Sequence, residues 1–77
     1  MKPTEIHEEW GKRVRQARRA KDITAVKFAA DVGISRTQVH RIESGQQAPS
    51  DGLRIRIAEA LDVDPNEIFS YDLRDAS

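Results

Sequence analysis

A chain of 77 residues has room for one small domain. With 38% hydrophobic and 34% charged residues it is polar yet patterned enough to fold, and with no cysteine it has neither a disulfide framework nor a thiolate metal site. The formal net charge is zero, but it is segregated: residues 1–11 carry −2, residues 12–41 carry +7 and residues 42–77 carry −5, so one face can hold a positive field despite the neutral total.

The first helix is expected from Thr4 or Glu5 to about Lys21. Trp10, Val14 and Ala17 recur at i, i+4 and i+7 as an apolar stripe, and Lys12, Arg13, Arg15 and Arg19 lie mostly off it. Trp10 reads as core, with its indole N–H at the surface. Asp22 is a stop, since Asp tolerates the left-handed backbone better than most residues. The second helix is expected over Ala25–Val32, with Thr24 as N-cap and Gly33 as its left-handed terminator. The third runs over Arg36–Ser44, where Ser35 and Gln38 have capping-box spacing and Gly45 closes the helix. After a QQAPS loop, the fourth runs over Asp51–Leu61 from an N-cap at Ser50. LRIRI within it alternates like a strand, but no second strand is available to pair with it. A last short helix starts at Asp64-Pro65 and carries Ile68 and Phe69, and YDLRDAS reads as a frayed tail. The core thus covers about residues 5–70 of one domain spanning 1–77.

VGISRTQVHRIESG, residues 32–45, carries the chemistry. Ala29 is small enough for a close helix crossing, Gly33 follows four residues later, and Val39 and Ile42 come six and nine after the glycine. That is the spacing of a helix-turn-helix unit, with Ile34 plugging the turn into the core. At about 100° per residue, Val39, Ile42 and Glu43 share one edge of the third helix. Thr37, His40, Arg41 and Ser44 fall on the other side, and Arg36 flanks them. Two guanidiniums, a hydroxyl and an imidazole are groups that hydrogen-bond base edges. A helix held by one edge is what insertion into a major groove requires.

At these residues the chain resembles the lambdoid phage repressor and Cro family, the XRE-type helix-turn-helix proteins. WGKRVRQARRAKDIT is similar to the family's first helix, FAADVGISRTQVHRIESG to its helix-turn-helix, and APS with IAEALDV and DPNEIF to its last two helices. The resemblance implies an all-α, compact five-helix, lambda-repressor-like DNA-binding domain. It implies base reading by Arg36, Thr37 and Arg41, with Gln38 and His40 as secondary readers. Phosphate contacts fall to Ser44, Gln46, Gln47 and Ser50, with Ser35, Lys27 and Arg15 as further candidates, and Arg18 and Glu43 match a buried ion pair. The chain departs from the pattern at Ala25, where a phosphate-contacting Gln is usual, and at Arg54, where a leucine is usual. The second departure suggests a rotated fourth helix, or a Leu53/Ile55 edge turned toward a partner.

Other readings are weaker. His7 and His40 sit on different helices, without metal-ligand spacing, so no metal or cofactor is expected. Ser35 near His40 lacks an acid to orient the imidazole, and a chain this short is expected to lack room for a substrate pocket, so the sequence predicts no enzyme. No apolar run approaches the ~18 residues of a membrane span, and MKPTEIHEEW lacks the apolar stretch of a secretion signal. The expectation is a cytoplasmic regulator, most simply a repressor, that binds double-stranded DNA as a homodimer on a palindromic operator. The rival is an antitoxin or protein-interaction module of a toxin–antitoxin or restriction–modification control system, with a protein partner on the acidic second half.

Overall fold

The computed structural model describes residues 2–70, and the YDLRDAS tail lies outside them. Five helices follow one another: α1 over Pro3–Ala20, α2 over Ala25–Val32, α3 over Arg36–Glu43, α4 over Asp51–Leu61 and α5 over Pro65–Phe69. Among the described residues there are no strands; LRIRI is helical, as its Ser50 cap and helical continuation demand.

Local chemistry sets most boundaries. The Thr24 and Ser50 side chains accept the backbone N–H groups of Lys27 and Leu53, and the Asp64 side chain accepts that of Asn66. Each satisfies a donor that a helix start leaves unpaired. Ser35 and Gln38 form both halves of a capping box, at 3.1 and 3.0 Å. Gly33 adopts φ +81° while its N–H and that of Ile34 both bond to the Ala29 carbonyl; a left-handed turn this tight favours glycine. Asp22 and Asp62 also take left-handed conformations, each with φ 55°, and end α1 and α4. α1 begins earlier than the sequence suggested because Pro3 occupies its first turn, where a missing N–H costs nothing. Ser44 proves to be the residue capping α3 rather than part of its last turn.

The core brings together Val14 of α1, Phe28, Ala29 and Val32 of α2, Val39 and Ile42 of α3, Leu53, Ile57 and Leu61 of α4, and Ile68 of α5. Phe28, Ile57 and Leu61 are its largest fully enclosed side chains, each worth roughly 1.5–3 kcal/mol of burial. Leu53 belongs to this core at 6% exposure, whereas Ile55 is 52% exposed. The proposed Leu53/Ile55 edge is therefore split: two residues apart on a helix point about 200° apart, and only Ile55 is available outside. Trp10 is also more enclosed than expected, at 5% exposure, and its indole N–H donates to the Ser70 carbonyl instead of reaching solvent.

α1 and α3 approach closely at Gly11. A Cβ there would run into the carbonyl oxygens of Ile42 and Glu43, so the backbones of α1 and α3 meet with no side chain between them. Gly45, at φ +81°, packs equally closely on the backbone of Glu8. Gly52, by contrast, faces open space. Gly11→Ala is therefore expected to lower unfolding stability by about 1–3 kcal/mol through overpacking. Gly52→Ala should be neutral or stabilising, by up to about 1 kcal/mol. Denaturant melts of the two variants beside the parent chain check the pair.

Candidate nucleic-acid interface

α3 is anchored by two apolar side chains and one ion pair. Val39 and Ile42 are each 2% exposed and point into the core. On the same edge Glu43 receives Arg18 of α1 in a two-pronged bond, Nε to Oε2 at 2.8 Å and Nη2 to Oε1 at 3.1 Å. Arg18 also donates Nη1 to the Ile23 carbonyl at 2.8 Å. The two side chains are only 12% and 10% exposed, so the pair sits in a partly desolvated setting where parallel N–H···O bonds are strong. The hydrogen bond to Glu43 raises the Arg18 pKa above its ordinary value, against the lowering effect of burial. A raised pKa on a cation means that, while its partner is charged, its contribution to stability is present below the usual arginine range and is lost as pH climbs through the folded-state value.

The opposite side of α3 is free. Arg36, Thr37, His40 and Arg41 are all exposed, and none of their side chains makes a hydrogen bond or ion pair among the described residues. Arg36, Thr37, His40 and Ser44 line a surface groove of about 630 Å³ whose other wall includes Arg15 of α1. That volume falls within the range of ligand pockets, so the expectation that the chain has no room for one is not met. The guanidiniums of Arg15 and Arg36 line the groove without a partner among the described residues, as does the Thr37 hydroxyl. The other hydroxyl of the lining, Ser44 Oγ, donates to the Arg41 carbonyl at 3.3 Å. The Arg18–Glu43 pair forms part of the lining as well.

The remaining candidates divide by what already holds them. Gln38 is half-buried and its Oε1 accepts the Ser35 backbone N–H. Only its amide N–H₂ is left, so a two-point contact with adenine would cost the capping box. Lys27 is paired with Asp31 at 2.9 Å in an exposed i, i+4 bridge, and would have to exchange that partner for a phosphate. Ala25 packs against the core rather than reaching outward. Ser35 and Ser50 accept cap bonds but keep their hydroxyl protons to donate. Gln46 is exposed and Gln47 half-buried, in a turn fastened by bonds from both backbone N–H groups to the Arg41 carbonyl.

Sequence reasoning grouped Arg13 with the outward basic residues, but the structure turns it inward. Its Nη1 donates to the carbonyls of Ile68, at 3.1 Å, and Ser70, at 2.6 Å, and its Nε lies 3.4 Å from Glu9. Gly11 escaped it, although a glycine inside a helical stripe was the signal; Arg54 stood out as a charge where the pattern wants a leucine, but its contacts with Trp10 and the Pro49 carbonyl did not.

A family model described as helix-turn-helix matches residues 14–68. The crystal structure of the restriction-modification controller protein C.AhdI from Aeromonas hydrophila superposes with a TM-score of 0.77 at 34% sequence identity, covering 80% of this chain and 94% of that one. No curated protein sequence matches significantly.

If the ion pair is what ties α3 to α1, Glu43→Ala strands Arg18 and should cost about 3–5 kcal/mol. Replacing both partners with apolar residues, Arg18→Met with Glu43→Leu, should cost much less than the two single changes combined; a double-mutant cycle on unfolding stability reads the coupling.

With the match spanning most of the chain, and an exposed, unpaired polar face on the second helix of the motif, the protein belongs to the XRE-type helix-turn-helix family of DNA-binding transcriptional regulators.

Proposed function

We propose that this protein is a sequence-specific repressor that binds a palindromic double-stranded DNA operator as a homodimer, with α3 in the major groove and no catalytic step. The observation that carries the reading is the division of α3. Its apolar residues and Glu43 are committed to the fold, while Arg36, Thr37, His40 and Arg41 have no partner among the described residues. Unpaired guanidiniums suit the two acceptors of guanine, and a threonine methyl suits that of thymine. Arg36, Thr37 and Arg41 are the base readers, with His40 and the free amide of Gln38 secondary. Arg15, Ser35, Ser44, Gln46, Gln47, Ser50 and Lys27 hold flanking phosphates, which fix register without reading sequence.

A module this small covers little DNA, so tight binding calls for two copies on half-sites about one helical turn, ~34 Å, apart. The exposed Ile55 and the adjoining ends of α4 and α5 are the surface offered for that pairing. A dimer seated across a promoter excludes other proteins from it, hence repression. Among the described residues no helix is long and apolar enough to cross a membrane. A DNA ligand supports a cytoplasmic location in a bacterial or phage-infected cell. Likeness to a restriction-modification controller at 34% identity favours a control role in such a system over an antitoxin role, with its protein partner.

Selection of bound duplexes from a random pool at one fixed salt concentration tests the reading. An inverted repeat should emerge, and a pool that stays random around a folded protein would refute it. Arg36→Ala with Arg41→Ala should abolish the preference while leaving thermal unfolding unchanged, since a bidentate pairing with a base is worth about 1–3 kcal/mol of discrimination. Arg15→Ala, which removes an unpaired cation, should flatten the salt dependence of log K by ~0.9. Lys27→Ala should flatten it less, because Asp31 already holds that ammonium; fluorescence anisotropy across a salt series separates the two.

A further inference from the structure

Arg54 stands where the family pattern has a leucine, and its surroundings explain what a leucine could not do. The side chain runs back toward the start of α4, the direction helical side chains favour. Its Nε donates to the Pro49 carbonyl at 3.1 Å, and Nη1 lies 3.4 Å from Asp51 Oδ1. The guanidinium carbon sits 4.5 Å from the centroid of the Trp10 ring and 6.0 Å from that of Phe69. Trp10 in turn meets Phe69 edge-on, with centroids 5.6 Å apart at 88°. A planar guanidinium can stack on a ring and donate in its own plane at once; a leucine could keep only the packing.

This arrangement fixes one end of the turn over residues 44–50. The other end is held by Gly45 on the Glu8 backbone and by the Gln46 and Gln47 N–H bonds to Arg41. At the far end Pro49 has no N–H, so its carbonyl is the one polar group of its backbone that can be gripped, and Arg54 grips it. Through Trp10, Arg54 also refers the turn to α1, one residue from the Gly11 crossing that seats α3.

We propose that Arg54 is a positioning residue for DNA binding. It holds the 44–50 turn in register with α3, so that Gln46, Gln47 and Ser50 meet the phosphates flanking the base-reading face. The proposal rests on reading that turn as a phosphate-contacting segment. Because phosphate contacts position but do not specify, Arg54 sets affinity for every sequence alike and leaves discrimination to α3.

The test compares the parent chain with R54L and R54K. Each is titrated with an operator-like duplex taken from the pool selection and with an unrelated duplex over a salt series, and amide exchange at Gln46 and Gln47 is measured in the free proteins. R54L should exchange faster at both amides and lose affinity for both duplexes by the same factor. Its slope of log K against log salt should flatten by ~0.9 for each phosphate the displaced turn no longer reaches. R54K, which keeps a cation over Trp10, should recover part of the affinity. The proposal is overturned if R54L, at a temperature where it is folded, changes melting temperature alone. It is equally overturned if R54L loses preference for the operator while retaining its affinity for the unrelated duplex. Should R54L not fold, R54Q, which keeps a donor, carries the same comparison. If the parent binds neither duplex, the DNA-binding reading fails by itself, and unaltered exchange at Gln46 and Gln47 in the variant would overturn the turn-holding role separately.

Discussion

The crossing of α1 over the end of α3 is the constraint on which the rest of this structure depends. At Gly11 the two backbones touch through the Ile42 and Glu43 carbonyls, and seven residues further along α1 Arg18 reaches the carboxylate of Glu43 itself. One helix thus fixes the other by a steric contact and by a directional one. The burial of Val39 and Ile42 already opposes rolling of α3 about its axis, and the two-pronged ion pair adds to it because both N–H···O bonds must stay aligned. Together they decide which residues of α3 turn away from the core, and the turn after α3 inherits the same footing through Gly45 on Glu8.

Electrostatics follow from which cations are already engaged. Arg13, Arg18, Lys27 and Arg54 each have a carboxylate within the fold. Lys12, Arg15, Arg19, Arg36 and Arg41 have none among the described residues. The engaged cations are largely cancelled close to their partners, while the free ones act outward, and three of them lie on or beside α3. A total charge of zero therefore says little about the field at this surface.

The aromatic corner shows how a residue can leave a family pattern without disturbing the fold. Arg54 occupies a partly exposed site between Trp10, Phe69 and the Pro49 carbonyl. Its charge is neither buried without a partner nor simply solvated. The aliphatic stem packs, the guanidinium plane stacks, and one N–H satisfies a carbonyl. α4 keeps the orientation set by Leu53, Ile57 and Leu61 in the core.

The sequence by itself determined the helices, their caps and the helix-turn-helix, because these rest on interactions within a few residues of one another. Thr24, Ser35 and Ser50 cap their own helices, and Gly33 bends its own turn. The spacing of Ala29, Gly33, Val39 and Ile42 is likewise a local pattern, so the exposed face of α3 followed from counting. Only the tertiary structure decided what depends on contacts distant along the chain. It decided that Gly11 meets α3, that Arg13 turns inward to the end of α5 rather than outward, and that Leu53 is core while Ile55 is surface. It also decided that Arg54 finds a ring and a carbonyl. A periodic pattern says which residues share a face of one helix. Which neighbour covers that face, and how closely, is set by the packing of several helices at once, and no single stretch of sequence contains it.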